Sequence, residues 1–177
     1  MRAGNADPVI HALAADEVLA HEEELAEVLL DAIAGGASVS FMGDFTRAQA
    51  GEYWRWVGEE VRIGRRVLFV AGAFDGTAQL LLLDTPPNQR HRAELAKMLV
   101  HRRARRRGLG RALFEAAEAE ARRRGRTLLT FDTMSGGAGE RLYLSCGCLK
   151  VGEIPEYALY PSGGAPEATS IFYKLLK

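Results

Sequence analysis

Cysteine is nearly absent from this chain. Cys146 and Cys148 are the two present in 177 residues. One residue separates them, a spacing that does not easily close a bridge, and no His/Cys ligand set surrounds them. A disulfide framework and a metal site are therefore not expected, and a reducing, cytoplasmic setting is the default. Long apolar runs are also missing, so nothing predicts a membrane span. Met1 to Pro8 has no basic segment followed by an apolar core, which argues against a secretory signal. Net charge is absent too: Lys+Arg and Asp+Glu are both 23. That balance speaks against a nucleic-acid module, which usually carries a basic domain or interleaved aromatics.

The charge that is present is unevenly placed. No Lys or Arg occurs from Ala3 to Thr46, while seven acids fall between Asp16 and Asp31. This acidic stretch reads either as a solvated helix face or as an attractor for a cationic amine. An apolar fraction of 47% and a length of 177 residues fit one globular domain over 1–177.

Hydrophobic periodicity predicts a short strand at Val9–Leu13 and a helix over Asp16–Ile33 that Gly35-Gly36 stops. Ala37–Phe45 reads as a loop. The capping box Thr46-x-x-Gln49 opens a second helix to about Ile63. Val67–Phe74 and Gln79–Leu83 read as a hairpin with a two-residue Asp75-Gly76 turn. Arg92–Val100 is a fourth strand, Gly108–Arg124 a helix, Thr127–Asp132 a fifth strand and Ala138–Ser145 a short helix. Val151–Leu159 and Ser170–Leu175 are the last two strands. The expectation is an α/β layer structure.

Residues 100–111 carry the most chemistry. The apolar Met98-Leu99-Val100 leads into a turn with six arginines between Arg102 and Arg111, and a helix follows. Strand, basic glycine turn and helix N-terminus together make an anion site. Gly108 and Gly110 allow the backbone to approach a phosphate, and the arginines add charge. A solvated helix start is the plainer reading of the same residues. The turn lacks the Gly-Lys-Ser/Thr of a P-loop and the third glycine of a dinucleotide fingerprint.

Arg105-Arg106-Arg107-Gly108-Leu109-Gly110 matches Arg/Gln-x-x-Gly-x-Gly/Ala. With Val100 ahead of it, this resembles the acetyl-CoA motif of the GNAT superfamily of N-acetyltransferases. The element order is similar to that family's over nearly the whole chain. The resemblance implies a central mixed, mostly antiparallel sheet of about seven strands, flanked by about four helices, with strands four and five splayed. It implies acetyl-CoA as cosubstrate and no metal. The cofactor would lie along Met98, Leu99, Val100, Arg105, Arg106, Arg107, Gly108, Leu109, Gly110 and Arg111, with the Met98 N–H facing the thioester oxygen. Phe41 and Asp44 would stand on the acceptor side.

Acetyl transfer needs a neutral amine, a donor for the oxyanion and a proton for the thiolate. Alternation puts Glu94, Ala96, Met98 and Val100 on one strand face. The resemblance makes Glu94 the base; a surface ion pair with Arg92 is the plainer reading. In Leu142-Tyr143-Leu144-Ser145-Cys146-Gly147-Cys148 the Tyr and Gly147 are in register with the family's stretch, with Cys148 for the usual Phe. Tyr143 would then donate a proton to the CoA sulfur. Asp132 ends the fifth strand and would either bind the amine or cap the Ser135-Gly136-Gly137 turn. His91 and His101 are weaker base candidates, His101 facing solvent.

Within the superfamily, Gly35–Met42, Arg92-Ala-Glu94, Phe131-Asp132-Thr133 and Val151-Gly-Glu-Ile-Pro155-x-Tyr157 look like the tabtoxin-resistance acetyltransferases. These acetylate an amino-acid-like toxin, which implies a small primary amine as acceptor and a role in toxin or antibiotic resistance. The loop 160–169 and the second helix differ and would line the acceptor pocket. Acetylation of a protein or peptide amine, or a CoA-binding module without catalysis, are the alternatives. No nucleic acid and no membrane are expected as partners, and a homodimer is left open.

Overall fold

A computed structural model describes residues 8–84 and 86–177. The reading of an N-terminus without a signal falls largely on 1–7, outside the described residues. Among the described residues, seven strands form one sheet: β1 (Ile10–Leu13), β2 (Arg66–Ala71), β3 (Gly76–Leu82), β4 (Arg92–Val100), β5 (Leu128–Met134), β6 (Leu149–Ala158) and β7 (Glu167–Leu175). Their spatial order is β1-β2-β3-β4-β5-β7-β6. Every neighbouring pair is antiparallel except β4 and β5, which run parallel. The described residues also form five α-helices: α1 (Ala15–Ala20), α2 (Glu22–Ala34), α3 (Arg47–Arg62), α4 (Leu109–Arg123) and α5 (Ala138–Ser145).

Both faces of the sheet centre are covered. Val67 and Phe69 of β2 pack with Leu113 and Phe114 of α4. Leu68 and Val70 pack on the other side with Leu25, Leu29 and Trp54 of α2 and α3. Alternate side chains thus meet two cores, which is why β2 reads as an unbroken apolar run. The acids of the N-terminal helices are largely matched by arginines of α3: Arg47 pairs with Glu23 and Glu27, Arg55 with Glu22, and Arg62 with Asp16. The solvated-face reading of that stretch accounts for these pairs.

The expected single helix over 16–33 is two. His21 leaves helical geometry at φ −115° and ψ 29°, and its ring lies 4.6 Å from that of Phe74. This gives five helices where about four were expected. The β2–β3 turn is also longer than expected. Ala71 pairs directly with Gly76, so the loop is 72–75, with Gly72 and Phe74 at positive φ. The Asp75 carboxylate accepts a bond from Arg103 at 2.9 Å and its carbonyl one from the His101 amide. The hairpin tip is therefore recruited to hold the basic turn.

Candidate active site

The site is built on a defect in the middle of the sheet. β4 and β5 pair through Arg92–Glu94 and Leu128–Thr130 and then part. On its other side β4 carries a bulge. Leu99 opposes Thr77 and Ala96 opposes Gln79, so β4 holds one residue more than β3 across this stretch. Lys97 takes the strain at φ +46°, and the buried Thr77 hydroxyl donates to its carbonyl at 3.1 Å. The extra residue exchanges the faces. Met98 and Val100 pack toward the α4 core, as Ala93 and Leu95 do, while Leu99 joins the α2–α3 core. The expected common face for Glu94, Ala96, Met98 and Val100 is therefore not present, because simple alternation does not survive a bulge.

Two cavities open at the split. One, of about 850 Å³, contains every expected cofactor residue except Arg107, which is exposed and does not line it. Gly108 caps α4 at φ +80° with open space where a Cβ would stand. A Cβ on Gly110 would meet the Leu142 side chain at 3.0 Å, so this glycine also lets α5 approach. The first N–H groups of α4 have no helical acceptor and are free for an anion. Arg105 donates to the Val100 carbonyl at 3.1 Å, and Arg111 to Ser145 of α5. The turn is anchored from beneath by Asp31, which accepts the Arg102 amide and Nε, both at 2.8 Å. His101 is part of this anchor: its side chain is 12% exposed and Nε2 lies 3.6 Å from Asp31, so it does not face solvent. A basic, open cradle at a helix N-terminus suits the pyrophosphate of CoA.

The second cavity, of about 480 Å³, lies on the other side of the split and contains Phe41, Glu94, Lys97 and Asp132. Glu94 makes no ion pair with Arg92, which instead donates to Gln89. Burial and the neighbouring Asp132 charge push the Glu94 carboxyl above the usual range. Asp132 accepts a 2.8 Å bond from Thr169. It does not cap the turn after β5; Glu140 does, accepting the Gly136 amide at 2.8 Å. That backbone bond, with Lys150 and Ser170, holds the Glu140 carboxyl down at about 2. Phe41 stacks on Phe45 at 4.2 Å between centroids. Asp44 is exposed and does not line the cavity, and His91 is exposed as well.

Tyr143 stands at the junction. It lines both cavities and is 6% exposed, packed against Phe131 at 4.4 Å. Burial drives its phenol well above the ordinary value, so it stays protonated and able to donate. Lys97 is a site residue that the sequence did not single out; Tyr160 and Glu167 to Thr169 of the loop region 160–169 line this cavity as expected, with Tyr157 beside them, whereas no residue of α3 does. Next to residues of the second cavity, the Gly43 amide bonds the Pro161 carbonyl at 2.8 Å, joining the α2–α3 and β6–β7 loops.

Solved structures share this architecture. A Salmonella typhimurium protein determined with its cofactor acetyl-CoA superposes with a TM-score of 0.74 at 18% identity, over 97% of this chain and 95% of that one. An N-acetyltransferase of Staphylococcus aureus gives 0.78 at 15% identity, over 97% and 100%. Ribosomal-protein-alanine N-acetyltransferase of Brucella melitensis gives 0.74 at 22%, over 95% and 99%. At these identities the likeness shows the fold. The family model described as "Acetyltransferase (GNAT) family" matches residues 28–147, from α2 through the basic turn to Gly147. With that match covering most of the chain, including the basic turn, Glu94, Asp132 and Tyr143, the protein belongs to the GNAT family of acetyltransferases.

Proposed function

We propose that this chain, as one domain, transfers the acetyl group of acetyl-CoA to the primary amine of a small, amino-acid-like molecule, directly within a ternary complex. The observation that carries the reading is the shared wall of the two cavities: Met98, Leu99, Thr133, Met134 and Tyr143, with Ser38 and Val39, line both. A donor bound in one and an acceptor bound in the other would meet there. Acetyl-CoA supplies an activated acyl thioester. Glu94 takes a proton from the acceptor ammonium, the task its raised carboxyl pKa suits. The Met98 N–H donates to the thioester oxygen as negative charge grows on it. The C–N bond forms, the C–S bond breaks, Tyr143 gives its proton to the departing sulfur, and the second proton that the nitrogen sheds on becoming an amide restores the phenol. Asp132 holds the amine. The loops joined through Gly43 and Pro161 bound the acceptor cavity, which favours a small acceptor over a peptide running through it.

The resemblance to the tabtoxin-resistance acetyltransferases supports an amino-acid-like acceptor and a resistance role. The free thiols of Cys146 and Cys148 are in keeping with a cytoplasmic enzyme. Edge strand β6, with Leu149, Val151, Ile154 and Tyr157 exposed, supports a homodimer, to be read by light scattering. The test of the activity is thiol release from acetyl-CoA against amino acids, polyamines, aminoglycosides and peptides. Release with free amino acids or their analogues is the expected result. Release with peptides alone would overturn the small-acceptor reading.

A further inference from the structure

The acceptor cavity has two electrical poles. Glu94 and Asp132 form the acidic one. Lys97 forms the other: its Nζ bonds the Ser40 hydroxyl at 3.1 Å and lies 5.5 Å from the centre of the Phe41 ring. Glu167, the remaining charged side chain on the wall, is exposed. Lys97 shares the cavity with two carboxylates whose charges favour its ammonium, yet its Nζ hydrogen-bonds Ser40 and neither of them. An ammonium has three donors, and the Ser40 bond uses one of them.

Holding Lys97 there strains the backbone. Lys97 sits at φ +46° and its partner Ser40 at φ +72°, both in the left-handed region that suits glycine. Two such residues meeting through their side chains in a cavity is the kind of strain that accompanies a binding task. The Thr77 hydroxyl on the Lys97 carbonyl fixes the bulge that turns this side chain toward Ser40. Lys97 is half-buried, so its ammonium gives up part of its hydration in this position.

We propose that Lys97 is a specificity residue that binds a carboxylate of the acceptor, so that the substrate is a zwitterion with its ammonium at Glu94 and Asp132 and its carboxylate at Lys97 and Ser40. This rests on the small-amine reading above and adds which group of the acceptor is recognised, and by which side chain. Burial and the nearby Arg66 charge lower the Lys97 ammonium pKa, while Asp132 and Glu94 raise it. A carboxylate beside Nζ adds to the favourable side and compensates for lost water.

The experiment pairs each amino acid with its carboxamide and its decarboxylated amine in the thiol-release assay, for the native protein and for Lys97→Met, Lys97→Gln and Lys97→Arg. The native enzyme should prefer the free acid by roughly 10- to 100-fold in kcat/KM, the worth of a charged hydrogen bond, expressed mainly in KM. Lys97→Met and Lys97→Gln should bring that ratio to about one, and Lys97→Arg should restore part of it. The rise in Tm with acetyl-CoA shows that each variant is folded, and Lys97→Gln serves if Lys97→Met is not. A native enzyme without preference for the acid overturns the proposal. So does a preference that survives the loss of Lys97. If no free amine of any kind releases thiol, the small-acceptor reading fails and this inference fails with it. If amines react but carboxylates are ignored, this inference alone fails.

Discussion

Tyr143 sits where a change of one atom is informative. Its ring belongs to the aromatic cluster with Phe114, Phe131 and Phe172, so Tyr143→Phe keeps the packing and removes the hydroxyl. Turnover should then fall by roughly 100-fold or more, the usual worth of a positioned acid. Acetyl-CoA binding should change little, because the bond matters as the sulfur gains charge. Native turnover in the variant, with chemistry rate-limiting, would make Tyr143 a packing residue. The neighbouring carboxylates give a second expectation. As pH falls through the raised pKa of Glu94, the carboxylate is protonated and cannot accept the proton of the amine, so kcat/KM should drop on the acid side. Asp132 is one cause of that raised value. Asp132→Asn removes its negative charge, lets Glu94 ionise more readily and should move the acid limb to lower pH. A limb that stays in place would shift the base role away from Glu94. That Glu94 and Tyr143 line the cleft was legible through the resemblance, Glu94 from its place on the strand that leads into the glycine turn and Tyr143 from its register with Gly147. Lys97 was not, since its placement depends on Thr77, a strand away.

The elements show the same division. The sequence bounds of β4 and α5 agree with the structure, because turn residues punctuate each run at its ends. The break at His21 was not legible: the Phe74 ring beside it comes from a distant hairpin. Nor was the β4 bulge, which is a property of the β3–β4 pair and has no glycine to announce it. Helix α4 is the element most tied to the cofactor. Its cap residue Gly108 has positive φ and leaves space above the first amides. Gly108→Val fills that space and adds backbone strain of about 1–2 kcal/mol. Its own Tm should fall, and the further rise that acetyl-CoA gives the native protein should be lost. An undiminished rise would place the pyrophosphate elsewhere.

At the scale of the whole molecule, the three paired positions between β4 and β5 have a mechanical meaning. The strands β1–β4 form one plate and β5, β7 and β6 another, each broadly hydrogen-bonded within itself. A short seam at one end joins them, and the opposite ends gape. Such a sheet should breathe like a hinged book, with the facing edges at Met98–Val100 and Asp132–Met134 as its open pages. An extended molecule lodged between those edges would act as a rivet. Hydrogen exchange offers the reading: acetyl-CoA should slow the amides of Met98–Val100 far more than those of β2, which are already sealed inside the first plate. Equal slowing throughout would mean that the plates were never loose. The loss of pairing that opens a place for chemistry also makes the stiffness of the protein something that its substrate supplies.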